Sequence, residues 1–201
     1  MNTSTRIIGL SGKAGAGKNL AASLLSGMVQ PRSNVQFSLA APLKKHVREA
    51  FQLTEEQTDG CKKNEPCDVI NVYGAPYTPR ELMIKVGQFY RSLVPTFWVD
   101  VLIRSIQQRP EVQVAFVTDV RFPNEADAIH AAGGLIIRLQ RDRDLLIQGA
   151  HEADVSETSL DNYDKFDHVI SAEQNTDRAR LSEALWEFVE QTLSLHLPQP
   201  W

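Results

Sequence analysis

The sequence predicts a three-layer α/β fold with a central, mostly parallel β-sheet. Short apolar segments alternate with amphipathic segments along its 201 residues, which is the pattern of repeated strand and helix units. The run Val112–Thr118 is rich in β-branched residues and predicts a central strand buried on both faces. Because the chain contains no internal repeat or low-complexity segment, we expect one domain over 1–201.

The first half of the chain has its clearest helix start at Thr78. Thr78 suits the N-cap, Pro79 the first helical position, and Glu81 lies three residues after the cap. Residues 54–78 are polar and rich in turn formers, which predicts an irregular insertion. The predicted elements are a strand over Arg6–Leu10, a helix from about Lys18, a strand over Val35–Ser38, and helices over Pro42–Phe51, Pro79 to about Leu93, and Phe97–Gln107.

The helix after Thr78 is predicted to have an apolar side and a polar side. At about 100° per residue, the polar side carries Arg80 and Gln88, and it either faces solvent or lines a site. The predicted apolar side consists of Leu82, Met83, Val86, Phe89 and Tyr90.

The second half predicts further strand and helix units. The strand Val112–Thr118 runs into Asp119 and Arg121, and three arginines (Arg138, Arg141, Arg143) cluster where a later strand ends. The predicted elements after Arg121 are a helix over Asn124–Ala132 closed by Gly133 and Gly134, strands over Leu135–Leu139 and His168–Ile170, and a helix over Arg178–Leu197 with Leu181, Leu185, Phe188 and Leu195 inward.

Composition excludes several classes of function. A formal net charge of -4 argues against stable, nonspecific binding to a nucleic-acid backbone. No apolar run approaches the roughly 18 residues of a membrane span, so we expect a cytoplasmic protein. The two cysteines, Cys61 and Cys67, have poor spacing for zinc and are expected to be reduced thiols.

The segment Gly12–Lys18 matches the phosphate-loop pattern G-x-x-x-x-G-K between a predicted strand and a predicted helix. Its glycines permit an anion nest of backbone N–H groups, and Lys18 is placed to reach the β- and γ-phosphates of ATP. The residue after the lysine is Asn19, where Ser or Thr usually binds Mg²⁺. Its amide oxygen can contact the metal, a metal-bound water or phosphate. The predicted nucleotide contacts are Gly12, Lys13, Ala14, Gly15, Ala16, Gly17, Lys18, Asn19, Arg138 and Arg141.

Other candidate residues suit phosphoryl transfer, which needs positive charge and in-line positioning. Arg80, Arg121 and the arginine cluster can supply the charge, and Arg121 follows a strand end, where open α/β sheets bind ligands. Asp119 can orient Mg²⁺, accept a hydrogen bond from substrate, or cap the turn that follows. Trp98 has the spacing of a core residue, although it can also stack on a base.

Several of these segments together resemble the deoxynucleoside monophosphate kinases of bacteriophages. The resemblance runs from about residue 7 to 170. Its specific parts are the helix that carries Arg80 to Leu82 and the block Asp119–Glu125, which belongs to the longer match Val117–Glu125. It also covers Gly12 to Lys18 with a non-hydroxyl residue following, Ala41-Pro-Leu-Lys44, Gln88, Phe97-Trp98-Val99, and His151 with Ser156-Glu157.

That resemblance implies a P-loop kinase that transfers the ATP γ-phosphoryl group to a deoxynucleoside monophosphate with Mg²⁺. It assigns Lys13, Lys18, Asn19 and Arg80 to ATP and the transition state. The monophosphate site comprises Gln88, Trp98, Asp119, Arg121 and Glu125. It also implies a helical substrate-binding region over about 40–110, a lid over about 140–155, a homodimer, and the host cytoplasm as location.

Two alternatives stay open at this point. A kinase of another small metabolite, such as dephospho-coenzyme A, would share the loop and an Ala-Pro turn. A nucleotide-binding switch or assembly module without catalysis is the second alternative, and Asn19 is the residue that raises it.

Overall fold

The computed structural model describes residues 5–67, 71–72, 75–141 and 158–193, without the side chains of Asn71, Val72 and Ala75. The chain divides into two compact units. We call residues 38–102 the helical unit, and the residues up to 37 together with those from 103 onward the sheet unit.

The elements follow the predicted order of strands and helices. The longest described helices, α4 and α7, have 15 residues each, and no helix in the described ranges is long and apolar enough to cross a bilayer. The elements are β1 (Arg6–Ser11), α1 (Lys18–Met28), β2 (Asn34–Phe37), α2 (Ala40–Phe51), α3 (Glu55–Thr58), a 3₁₀ turn (Cys61–Asn64), β3 (Asn71–Val72), β4 (Ala75–Pro76), α4 (Pro79–Leu93), α5 (Phe97–Gln107), β5 (Val114–Val120), α6 (Pro123–Ala131), β6 (Leu135–Leu139), β7 (His168–Ile170) and α7 (Arg178–Thr192).

The sheet unit is built on five parallel strands in the order β2-β5-β1-β6-β7. The central strand β1 pairs with β5 on one side and with β6 on the other. Near its carboxyl end, Ser11 lies opposite Val120 of β5 and Arg138 of β6. The strand ends therefore meet at one edge, where open α/β sheets bind their ligands.

Helices cover both faces of this sheet. Ile8 and Leu10 of β1 belong to the core that contains residues of α1 and α7, such as Leu25 and Phe188. Gly9, between them, faces the other layer, because a Cβ at Gly9 would lie 3.3 Å from the Ile129 side chain of α6. The predicted three-layer α/β fold with a parallel sheet is confirmed.

Several predicted boundaries in the sheet unit move, among them those of β5 and α6. Strand β5 begins at Val114 rather than Val112, since its ladder starts where Arg6 of β1 lies opposite it, so Asp119 lies within the strand. Helix α6 begins at Pro123, one residue earlier than predicted. The described part of α7 has the predicted buried residues Leu181, Leu185 and Phe188, whereas Leu195 lies outside the described residues.

The helical unit contains more regular structure than its sequence predicts. The region predicted as an irregular insertion holds α3, the 3₁₀ turn and the hairpin β3–β4. These elements span two to four residues, which is too short for a period of 3.6 or 2 to be visible. The core of this unit consists of Val47, Leu53, Cys67 and Leu82, with Leu43, Phe51, Tyr77, Met83 and Val86 packed around it.

The predicted apolar side of α4 is wrong at Phe89, whose exposed fraction is 59%. Gly87 is buried in its place, and a Cβ there would lie 3.2 Å from Leu43 Cδ2. The indole N–H of Trp98 donates to the Gly87 carbonyl at 3.3 Å. The buried side of α4 is therefore centred on a glycine, which hydrophobic periodicity does not register.

We expect Thr78→Ala to lower the free energy of unfolding by about 1 kcal/mol, the usual effect of losing an N-cap hydroxyl. Thr78 Oγ1 accepts from the Glu81 N–H at 3.2 Å, while Glu81 Oε2 accepts from the Thr78 N–H at 2.8 Å. Urea denaturation monitored by far-UV circular dichroism measures the loss. Thr78→Ser keeps the acceptor and serves as the control, and equal stabilities for the Ala and Ser variants would contradict the capping role.

Candidate phosphate-binding site

The segment Gly12–Lys18 forms a loop between the end of β1 and the start of α1. Gly17 is the N-cap of α1 with φ of 90°, a left-handed conformation that favours glycine. At Gly12, a Cβ would lie 2.7 Å from the Leu139 carbonyl oxygen, so a side chain does not fit. The loop therefore requires glycine at both positions and presents the amino end of α1, which attracts anions.

The ammonium group of Lys18 is held inside this loop. Its Nζ donates to the carbonyl oxygen of Gly12 and, at 2.9 Å, to that of Lys13. The side chain is partly buried and curls back over the loop instead of extending into solvent. The structure thus places a positive charge where the backbone N–H groups of the helix start also lie, as phosphate binding requires.

Arg138 brings a buried positive charge to the same edge of the sheet. It has an exposed fraction of 9%, and its Nη1 donates to Ser11 Oγ at 3.0 Å. Its Nη2 lies 3.0 Å from Asp161 Oδ1, and its guanidinium lies 5.6 Å from the centre of the Phe166 ring. The sequence placed Arg138 at a strand end, and the structure adds that strand β6 points its side chain towards β1.

A cavity of about 430 Å³ lies beside the loop. This volume falls in the range of small-molecule sites. Three predicted nucleotide-binding residues, Lys13, Arg138 and Arg141, line it together. Its other lining residues are Gln140, Leu160, Asp161, Asn162, Tyr163, Phe166 and Ala172. Sequence reasoning missed the segment 160–166, since it has no periodicity and matches no motif.

Asn175 ties the phosphate loop to the end of β6. It has an exposed fraction of 1%, and its Nδ2 donates to the carbonyl oxygens of Ala16 at 2.8 Å and of Gln140 at 2.9 Å. Because both partners are acceptors, they fix the orientation of the amide. Asn175 lies in no motif or periodic segment, so its role was not predicted from the sequence.

The turn after β5 is held by the carboxylate of Glu125. This side chain has an exposed fraction of 3%, and its Oε2 accepts from the N–H groups of Arg121 at 2.9 Å and Phe122 at 3.1 Å. Asp119 and Arg121, both partly buried, lie at this end of β5. Glu125 therefore fixes the backbone at Arg121, and its predicted contact with a monophosphate stays a prediction.

The remaining predicted site residues are distributed as follows. Arg80 and Gln88 are exposed on α4 of the helical unit. Trp98, on α5, has an exposed fraction of 4% and packs against Tyr90 and Phe97. Trp98 therefore has a core position, as its spacing alone suggests, and its stacking on a base stays a prediction. Asn19 is exposed in the first turn of α1.

Most of the predicted lid lies outside the described residues. This applies to residues 142–157, which include Arg143, His151, Ser156 and Glu157. Within the described ranges, no group of three or more His, Cys, Asp and Glu side chains could hold a metal ion. The predicted roles of Asn19 and Asp119 as metal ligands stay predictions.

The segment that carries Asp161 is anchored to α6 and β6. Tyr163 Oη donates to Asp127 Oδ1 at 2.9 Å, and Asp167 Oδ2 lies 2.8 Å from His130 Nε2 and accepts from the Ile136 N–H at 2.7 Å. The hydrogen bond from Tyr163 lowers the pKa of Asp127. Burial, together with that bond to the Asp127 carboxylate, raises the pKa of Tyr163.

Comparison with known proteins gives one viral relative in sequence. No protein-family model matches the chain. A candidate deoxynucleotide monophosphate kinase of Acanthamoeba polyphaga mimivirus is 29% identical over 170 residues, which cover 79% of this chain and 85% of that protein. Because that relative is from a mimivirus, the assignment to the bacteriophage family stays a prediction.

Two solved structures are similar in outline. A shikimate kinase from Bacteroides thetaiotaomicron has a TM-score of 0.41 at 14% identity, covering 96% of this chain and 99% of its own. A sugar kinase from Janibacter sp. has a TM-score of 0.49 at 13% identity, with the same coverage of 96% and 99%. At these TM-scores neither supports a functional argument. Strand order, strand direction and the loop between β1 and α1 by themselves establish a phosphate-loop fold.

We expect Asn175→Ala to lower the free energy of unfolding by roughly 1–3 kcal/mol, because it leaves the buried carbonyl oxygen of Ala16 and the partly buried one of Gln140 without their donor. Chemical denaturation measures this loss. The control is Asn162→Ala, an exposed amide that lines the cavity, for which we expect a change within about 0.5 kcal/mol. Equal stabilities for the two variants would show that Asn175 does not tie the loop to β6.

Proposed function

We propose that this chain transfers the γ-phosphoryl group of ATP to a deoxynucleoside monophosphate. The observation that carries the proposal is the glycine loop after β1, with Lys18 Nζ held against the carbonyl oxygens of Gly12 and Lys13. The mimivirus relative, named for the same class of reaction, supports the choice of acceptor.

The donor side of the site is in the sheet unit. The loop backbone and Lys18 bind the β- and γ-phosphates, with Lys18 exchanging its two carbonyl partners for phosphate oxygens. The cavity lined by Lys13, Arg138 and Arg141 extends this site along the polyphosphate to the nucleoside, since it combines positive charge with the Tyr163 and Phe166 rings. Arg138 and Arg141 then neutralise the charge that develops during transfer.

The acceptor side of the proposal uses the remaining predicted site residues. Arg121, held by Glu125, binds the monophosphate at the end of β5. Asp119 accepts a hydrogen bond or orients the metal, while Gln88 and Trp98 contact the nucleoside and Arg80 contributes charge during transfer. No covalent enzyme intermediate is required, because positioning and charge stabilisation carry phosphoryl transfer. Mg²⁺, when bound, neutralises the phosphate charge. The functional enzyme in this proposal is a homodimer.

We expect Lys18→Ala to reduce kcat at least about 100-fold, because it removes the ammonium that stabilises the transferring phosphoryl group. A coupled assay of ADP formation measures this with each of the four deoxynucleoside monophosphates and with dephospho-coenzyme A. Lys62→Ala, an exposed lysine outside the loop, is the matched control and should retain activity. Turnover with dephospho-coenzyme A alone, or ATP binding without turnover on any acceptor, would refute the proposed function.

We expect Asn19→Asp to keep activity and to shift the Mg²⁺ concentration needed for half-maximal rate downward, by about twofold to tenfold. A carboxylate attracts the hydrated metal more strongly than an amide oxygen does, and Mg²⁺ takes most of its ligands from phosphates and water. Initial rates over a Mg²⁺ titration measure the shift. An Asn19→Asp chain that folds and binds ATP but is inactive would contradict the proposed place of Asn19 beside the metal.

A further inference from the structure

The carboxylate of Asp161 forms ion pairs with two cationic side chains of the proposed donor site. Its Oδ2 lies 3.2 Å from Lys13 Nζ, and its Oδ1 lies 3.0 Å from Arg138 Nη2. One carboxylate therefore bridges two cations on different elements, the phosphate loop and β6. Two oxygens of a bound phosphate would bridge the same pair of cations in the same way.

The charge of Asp161 opposes a polyphosphate in the cavity. The carboxylate lines the cavity together with its two partners, so a phosphate that reaches Lys13 comes within a few ångströms of it. Like charges at such a distance repel, and the side chains of Lys13 and Arg138, which are 15% and 10% exposed, are screened less by salt than fully exposed groups. A polyphosphate must therefore displace Asp161 from Lys13 and Arg138 or bind against its charge.

The segment around Asp161 cannot easily withdraw. Tyr163 and Asp167 bind α6 and β6 through Asp127, His130 and the Ile136 N–H. These anchors lie two and six residues beyond Asp161, so its backbone is held close to the cavity. Rotation of the Asp161 side chain is then the shortest way to free the two cations.

We propose that Asp161 is an internal counter-anion that competes with the polyphosphate of the donor for Lys13 and Arg138, and so determines the affinity of the site. The inference rests on the proposed function, because it takes the cavity as the donor site. Asp161 stabilises the empty site by compensating a buried guanidinium, and it weakens polyphosphate binding for the same reason. Its effect is on ground-state affinity, not on the reacting atoms.

Isothermal titration calorimetry of the full chain with inorganic tripolyphosphate tests this. We expect Asp161→Asn, which keeps the shape and removes the charge, to bind tripolyphosphate about tenfold more tightly than wild type. Asp161→Ser replaces the carboxylate with a shorter uncharged side chain, and it should bind tripolyphosphate at least as tightly as Asp161→Asn does. Thermal unfolding of each variant verifies that it folds, and the Ser variant carries the test if the Asn variant does not fold.

Asp164→Asn is the matched control, since it removes the same charge three residues further along, from a residue that does not line the cavity. We expect its affinity to stay within about twofold of wild type, because solvent and salt screen a charge that lies outside the cavity lining. Equal gains for positions 161 and 164 would indicate net charge alone and would overturn the proposal. Unchanged or weaker binding by both Asp161 variants would show that Asp161 positions the cations instead of competing for them. Tight tripolyphosphate binding without phosphoryl transfer would contradict only the proposed function.

Discussion

The buried guanidinium of Arg138 is the constraint on which the candidate site depends. Removing an unpaired charge from water costs several kcal/mol, so a cation at the carboxyl edge of a sheet requires partners. Ser11 of the neighbouring strand supplies one, and the Asp161 carboxylate supplies the other. Because Asp161 also contacts Lys13, compensation of Arg138 brings the segment after residue 158 to the phosphate loop. All three of these charged side chains line the cavity beside the loop.

The same edge is held by polar groups that bridge distant parts of the chain. Asn175 joins Ala16 to Gln140, and Glu125 closes the turn at Arg121 through two backbone N–H groups. Each of these side chains is almost completely buried, so each hydrogen bond satisfies a group that would otherwise be buried without a partner. A rigid set of strand ends is the basis for positioning phosphoryl groups, since misplacement by about 1 Å can lower the rate of transfer 100-fold.

Local signals in the sequence predict most of the helices and strands, but they predict few of the contacts that the side chains make. The capping box at Thr78 and the alternation of apolar runs are properties of a few neighbouring residues, and the structure has the corresponding helix and strands. Phe89 is exposed although its spacing predicts burial, and Gly87 is buried at a point where a Cβ would lie 3.2 Å from the Leu43 side chain. The short elements between residues 54 and 78 depend on packing within the helical unit and leave no periodic signal.

The parallel α/β fold and the phosphate loop with Lys18 are predictable from sequence, because hydrophobic periodicity and a fixed spacing of glycines and lysine are local properties of the chain. Arg138 and Arg141 are likewise candidates from their place at a strand end. The contacts of Asp161 with Lys13 and Arg138, and the support that Asn175 gives the loop from 159 residues away, are evident only in the folded chain. Such contacts depend on which strands are neighbours and in what register they pair, and no short stretch of sequence contains that information.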